Sequence, residues 1–240
     1  MAKIGILTPI MSHIVGECYE SLVDAHLQVV KAGHEVEKVT CLDLVPYDRA
    51  REFLIGKAFD AGCDYLWWID SDCIVPKGAF DRLMLTMTEH EAAIVTAHNY
   101  MRGYPYVCGW WKSVEGGPLN RVDARSGQHE ITTGSLHCVL VDVKWLLAHK
   151  FAPWFKYAPY VDEEHRVMED AWFYAHVWER GGKVIGDADV RTGHVYTRVV
   201  ACDKTVKVLR SMHNGAQDPN FVSTNVATGL KFRKRISENG

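Results

Sequence analysis

An α/β fold with a mostly parallel central sheet and helices on both of its faces is predicted by this 240-residue sequence. Short apolar runs of strand length alternate with helical patterns of about 10 to 15 residues, the text of βαβ units. Glycine stops close the first two helical patterns, at Gly33 and Gly62. The length suits one sizeable domain around one core.

Lys3-Ile4-Gly5-Ile6-Leu7 opens the chain as a first strand, too short and too soon broken by Pro9 for a signal peptide. Leu22, Ala25, His26, Val29 and Val30 then recur at helical spacing. Glu35-Val36-Glu37-Lys38-Val39-Thr40 alternates as a half-exposed strand does, and Pro46 punctuates the next loop. A helix over residues 48–61 presents Phe53, Leu54, Ala58 and Phe59 or Ala61, and leads into the strand Tyr65-Leu66-Trp67-Trp68-Ile69. Pro76 opens a third helix with Phe80, Leu83, Met84 and Met87 inward, and residues 92–97 form a buried strand. Residues 101–133 read as loops and hairpins. Beyond them lie strands at 139–142 and 183–185 and helices at 143–149 and 170–180. After about residue 196 the pattern weakens, and Leu230-Lys231-Phe232-Arg233-Lys234-Arg235 reads as a solvated basic tail.

Composition excludes several classes. With 27 Lys and Arg against 30 Asp and Glu, a net charge of −3 supports no general hold on nucleic acid or an anionic membrane. No apolar run approaches the ~20 residues of a membrane-spanning helix. Seven cysteines, odd in number, spread out and without a CxxC pair, read as reduced thiols in a cytoplasmic protein.

Asp70-Ser71-Asp72 follows the most apolar strand, at the sheet edge where parallel α/β folds bind ligands. If the extended geometry persists, the two carboxylates share a face and repel unless a cation joins them. A hard divalent ion that completes its shell with phosphate oxygens is the natural remedy, so the pair points to a phosphate-bearing substrate. Glu169-Asp170 opens a helix, where the competing account of Asp170 is an N-cap. His194, in Arg191-Thr192-Gly193-His194-Val195, is a candidate metal ligand only in that context.

Three segments in order, Trp68-Ile69-Asp70-Ser71-Asp72-Cys73-Ile74-Val75-Pro76, Glu169-Asp170 leading into Gly181-Gly182-Lys183-Val184, and Asp187 through His194, resemble glycosyltransferases of the GT-A fold, family-2-like in character. Ala50-Arg51, Thr133-Gly134-Ser135 and Pro153-Trp154-Phe155 add to the resemblance. It implies a GT-A domain over residues 1–196 and a C-terminal extension over 197–240. It also implies a DxD motif in which Asp70 and Asp72, with His194 as third ligand, hold Mn²⁺ or Mg²⁺ on the diphosphate of a UDP- or GDP-sugar, Asp72 standing ahead of Asp70 as direct ligand. A nitrogen ligand favours manganese. Thr8, Pro9, Arg51, Asp70 and Ser71 fall on the nucleotide-sugar side, and Asp170, with Glu169 beside it, on the catalytic-base position of inverting members. Tyr100, Arg102, Trp110, Trp111 and Gly134 fall where the acceptor and sugar are met, with core packing the rival account of the tryptophans.

The sequence departs from the family at Glu52, where an asparagine is usual, and lacks the Gln-x-x-Arg-Trp motif of processive synthases. A transferase of single sugars is therefore expected. Its rivals are a non-catalytic nucleotide-sugar or carbohydrate-binding module of the same fold and a sugar nucleotidyltransferase, which would need a glycine-rich, arginine-bearing loop where Thr8-Pro9-Ile10-Met11-Ser12 stands.

Overall fold

The computed structural model describes residues 1–10, 13–14, 16–42, 46–100, 108–113, 119–156, 158–162 and 165–195. In chain order its elements are β1 (Lys3–Ile10), α1 (Gly16–Lys31), β2 (Glu35–Leu42), α2 (Tyr47–Asp60), β3 (Tyr65–Ile69), β4 (Cys73–Ile74), α3 (Ala79–His90), β5 (Ile94–His98) and β6 (Trp111–Ser113). There follow β7 (Leu119–Arg121), β8 (Gln128–Glu130), β9 (Cys138–Asp142), α4 (Val143–Ala148), β10 (Ala158–Asp162), β11 (His165–Val167), α5 (Glu169–Glu179), β12 (Val184–Arg191) and β13 (Gly193–His194). The boundary expected near residue 196 and the basic tail lie outside the described residues, as does Arg102.

Seven strands make one sheet in the order β2-β1-β3-β9-β5-β12-β8. β1 runs parallel to β2 and β3, and β5 parallel to β12. β9 enters antiparallel between β3 and β5, and β8 closes the far edge antiparallel to β12. The α/β class expected from the sequence holds, with this mixed character added by two short segments that follow no crossover helix.

Both sheet faces are covered, which is why the strands read as unbroken apolar runs. Side chains alternate along β3, so Leu66 and Trp68 join the core under α2, α4 and α5, with Leu54, Leu146 and Phe173. Trp67 and Ile69 join the opposite core under α1 and α3, with Ala25, Val29, Phe80 and Leu83. The six described cysteines are buried in these layers, as small apolar residues are.

Three expectations shift in detail. β1 continues through Thr8 and Pro9, which are buried and paired with Thr40 and Cys41 of β2, so neither stands in a loop. α3 starts at Ala79, because Gly78 takes a left-handed φ of 75° and the helix entrance is capped from α1: Gln28 Oε1 accepts the Phe80 N–H at 3.1 Å. In α2 the inward stripe is Ala50, Arg51, Leu54, Ile55 and Ala58, and Phe53 is exposed. A buried arginine has taken a place on the core face beside Leu54 and Ala58, which face inward as expected.

Candidate functional site

The carboxyl end of β3 opens into a turn, closed by the Cys73 N–H donating to the Asp70 carbonyl at 3.0 Å. Extended geometry therefore stops at Ile69, and the shared face expected for Asp70 and Asp72 does not persist. The two carboxylates share His137, whose Nδ1 lies 4.0 Å from Asp70 Oδ2, but otherwise meet different groups. Arg51 Nη2 donates to Asp70 Oδ1 at 3.1 Å. Asp72 instead meets two imidazoles: its Oδ1 lies 3.6 Å from His137 Nδ1, and its Oδ2 lies 3.4 Å from His194 Nε2.

Topology brings these histidines in. The antiparallel register pairs Ile69 with Cys138, so His137, one residue before β9, falls beside the exit of β3; its carbonyl accepts the Asp70 N–H at 3.0 Å. The small β4–β13 ladder pairs His194 with Cys73, and the Val195 N–H donates to the Asp72 carbonyl at 2.8 Å. The rings stack obliquely at 4.3 Å between centroids. Each is oriented by a main-chain carbonyl: Gly193 takes His137 Nε2–H at 3.2 Å and Tyr100 takes His194 Nδ1–H at 2.9 Å. Those bonds leave the Nδ1 of His137 and the Nε2 of His194 turned to Asp72, the second-shell arrangement that orients metal-binding imidazoles. One ligand atom from each of Asp72, His137 and His194 falls within 4.8 Å of the others. One carboxylate and two imidazoles fit a borderline divalent ion, manganese better than magnesium.

Asp70 takes another part. Arg51, 4 % exposed in the first turns of α2, lies with its guanidinium 5.3 Å over the Trp68 ring and its Nε 3.5 Å from Glu169 Oε1. Arg51 Nη1 and Glu169 Oε2 are buried without a hydrogen-bond partner among the described residues. Arg51 is thus a buried cation shared by Asp70 and Glu169, with Asp170 also within its field.

Glu169 and Asp170 open α5, whose N-cap is Met168, so Asp170 lies inside the first turn and is no cap. Burial, then the Glu169 charge beside it, push Asp170 up to about 7 against the pull of Arg51. It stands as a carboxyl able to exchange a proton near neutrality.

The acceptor-side residues divide. Trp110 is 0 % exposed, its ring against Gly134 and Gly186, whose added Cβ atoms would meet it at 3.2 and 2.8 Å. It is a core residue, and Gly134 is the gap that admits it. Trp111 is half-buried in β6 against Leu119, Ala175 and Trp178. Tyr100 remains exposed, its ring edge-on to His98. Ser71 sits half-buried in the turn.

Two residues that matter were not found from the sequence as site residues. His137 carried no spacing signal, being one histidine before a strand whose direction the sequence does not state. Glu52, read as a departure, has a structural use: its Oε1 accepts the Phe155 N–H at 2.5 Å and fixes the Pro153-Trp154-Phe155 loop over α2.

The family Glycosyl transferase family 2 matches residues 49–148. That segment contains Arg51, Asp70, Asp72 and His137, and leaves Asp170 and His194 beyond it. The crystal structure of A197 from STIV is similar in fold, with a TM-score of 0.59 at 15% identity over 82% of this chain and 87% of that one. A structure of GalNAc-T7 with UDP, GalNAc and Mn²⁺ aligns at a TM-score of 0.49 and 11% identity, over 82% of this chain, which spans 44% of that protein. No curated protein matches.

Proposed function

We propose that this chain, which the Glycosyl transferase family 2 model matches over residues 49–148, is a metal-dependent transferase of the GT-A fold that moves a single sugar from a UDP- or GDP-sugar to an acceptor hydroxyl with inversion. The observation that carries this reading is the convergence of Asp72, His137 and His194 beside the Arg51–Asp70–Glu169 cluster, at the edge where β3 ends. A binding module needs no half-buried carboxyl poised near 7 next to that cluster, and Asp170 is one.

Asp72, His137 and His194 would hold the ion, which when bound supplies Lewis-acid stabilisation of the departing diphosphate. Asp170 takes the proton of the acceptor hydroxyl as its oxygen bonds to the anomeric carbon, while the bond from that carbon to the nucleotide diphosphate breaks and the diphosphate leaves with the electron pair. Glu169 and Arg51 set the proton affinity of Asp170 from opposite sides. Arg51 also holds Asp70 against the turn that presents Asp72. No described helix is long and apolar enough to cross a membrane, and the seven cysteines suit a cytoplasmic setting.

The test is turnover. UDP-, GDP-, CDP- and dTDP-sugars with Mn²⁺ are screened first for thermal stabilisation, since the donor that binds the folded chain raises its stability by mass action. Nucleotide release is then followed for the binder across a panel of acceptors. Release that Asp72→Ala and Asp170→Asn abolish supports the transferase. Binding with no release on any acceptor, or wild-type release from Asp72→Ala, overturns it.

A further inference from the structure

Beyond the Asp72–His137–His194 cluster, the exits of β5 and β12 and the strand-to-loop passage after β7 border an open cavity of about 520 Å³. Arg121, Arg125 and Arg191 line it together with Asp123, His98 and Tyr100. Among the described residues none of the three guanidinium groups has a carboxylate at ion-pair distance. All three arginines and Asp123 are exposed at its rim, so water screens their mutual repulsion, and Asp123 offsets only one of the three positive charges.

The cavity is built rather than incidental. Arg191 donates from Nε to the Ala188 carbonyl at 3.3 Å and from Nη2 to the Arg125 carbonyl, which fixes the plane of its guanidinium. The loop carrying Arg125 is stitched to β12 by the Ala188 N–H on the Gly127 carbonyl and by the Gly127 N–H on Asp189 Oδ1. Thr192 donates through both its N–H and its hydroxyl to the His98 carbonyl, joining the two strand exits. His98 is 4 % exposed, and its buried Nδ1 has no hydrogen-bond partner among the described residues.

Tyr100 joins this cavity to that cluster. It is part of the cavity lining, and its carbonyl orients His194.

We infer that this cavity binds the phosphate of a phosphate-bearing acceptor, with Arg121, Arg125 and Arg191 as its anion clamp. The identification of the occupant as the acceptor rests on the transferase reading. The charge count selects the group: three guanidiniums less one carboxylate leave two positive charges, matching a phosphate monoester near its dianionic form and exceeding a single carboxylate. Arginine suits the task because its fork meets phosphate oxygens in pairs. Asp123 is left to accept hydrogen bonds from hydroxyls of the same molecule.

The experiment titrates the full chain with inorganic phosphate in EDTA, at ionic strength held constant with chloride, by calorimetry. The wild type binds, Arg125→Gln and Arg191→Gln each weaken binding tenfold or more, Arg191→Lys recovers part of the loss, and Arg49→Gln on the exposed side of α2 changes nothing. UDP with Mn²⁺, added without EDTA, leaves phosphate bound. No binding by the wild type, equal binding by the glutamine variants, or displacement by UDP with Mn²⁺ overturns the inference. Because this titration needs no donor turnover, it separates the two readings: arginine-dependent phosphate binding stands even if no sugar is transferred, and a turning-over enzyme with a flat titration loses the cavity alone. On the active enzyme, a phosphorylated acceptor is preferred over its dephosphorylated form, and the preference falls in Arg191→Gln.

Discussion

Replacing Arg51 by methionine removes the one cation that Asp70 and Glu169 share inside the protein. At 3.1 and 3.5 Å, with an effective dielectric of about 20, each contact carries ~5 kcal/mol of Coulomb attraction, most of which offsets the desolvation of the three groups. The loss is unequal. Asp70 is 24% exposed and regains water, whereas Glu169, with 7% of its side chain exposed, stays buried without its counter-charge. Breaking one side of a buried pair typically costs ~3–5 kcal/mol, and the rehydration of Asp70 puts Arg51→Met near ~3 kcal/mol. Methionine fills much of the volume over Trp68, so a cavity adds little. The assay is urea unfolding of wild type and variant at pH 8. A deficit below ~1 kcal/mol refutes the shared-cation account.

Three further outcomes follow from the same geometry. His137→Ala weakens Mn²⁺ binding by at least ~10-fold in an electron paramagnetic resonance titration, as His194→Ala does; affinity within twofold of wild type removes His137 from the ligand set. Asp170 keeps its proton in the folded chain up to about 7 while the unfolded chain releases it near the ordinary 3.8, so its contribution to stability declines as pH rises through that window. Transfer requires the ionised form and rises over the same window, and Asp170→Asn both flattens that part of the stability profile and abolishes transfer; an unchanged stability profile contradicts the assignment. Gly186→Ala forces a Cβ to 2.8 Å from the buried Trp110 ring and lowers stability by ~1–3 kcal/mol in thermal unfolding, where a neutral result would show that the ring can yield.

The elements read most faithfully from the sequence are those whose signal is local. β3 is an apolar run between a glycine stop and a polar turn, and it was found with its observed ends. α5 was placed to within one residue of its observed ends, because its apolar surface and its acidic start lie on one continuous segment. Asp72 stood out because strand exits are where an α/β fold binds ligands, whereas His194 and Asp170 were singled out through the family resemblance. Local signals failed where a partner from elsewhere decided the outcome. Phe53 was taken as inward because phenylalanine is apolar, yet Arg51 occupies the core face of α2 to meet two carboxylates from other elements. Trp110 was weighed as a sugar platform because the residues flanking it read as loop, and the gaps left by Gly134 and Gly186 seat it in the core.

By itself, then, the amino-acid order determined the α/β class, the strand that carries the acidic turn and three of the residues that converge there. It did so because hydrophobic period, glycine stops and residue chemistry are properties of short stretches of chain. Only the tertiary structure decided that β9 runs antiparallel between β3 and β5, and with that direction came His137 beside Asp72. It also decided that Asp70 meets Arg51 as well as His137, and that three arginines from separate segments face one cavity beside it. Strand direction, turn closure and the neutralising of buried charge depend on residues far apart in the chain, and their pairing is set only when the sheet forms.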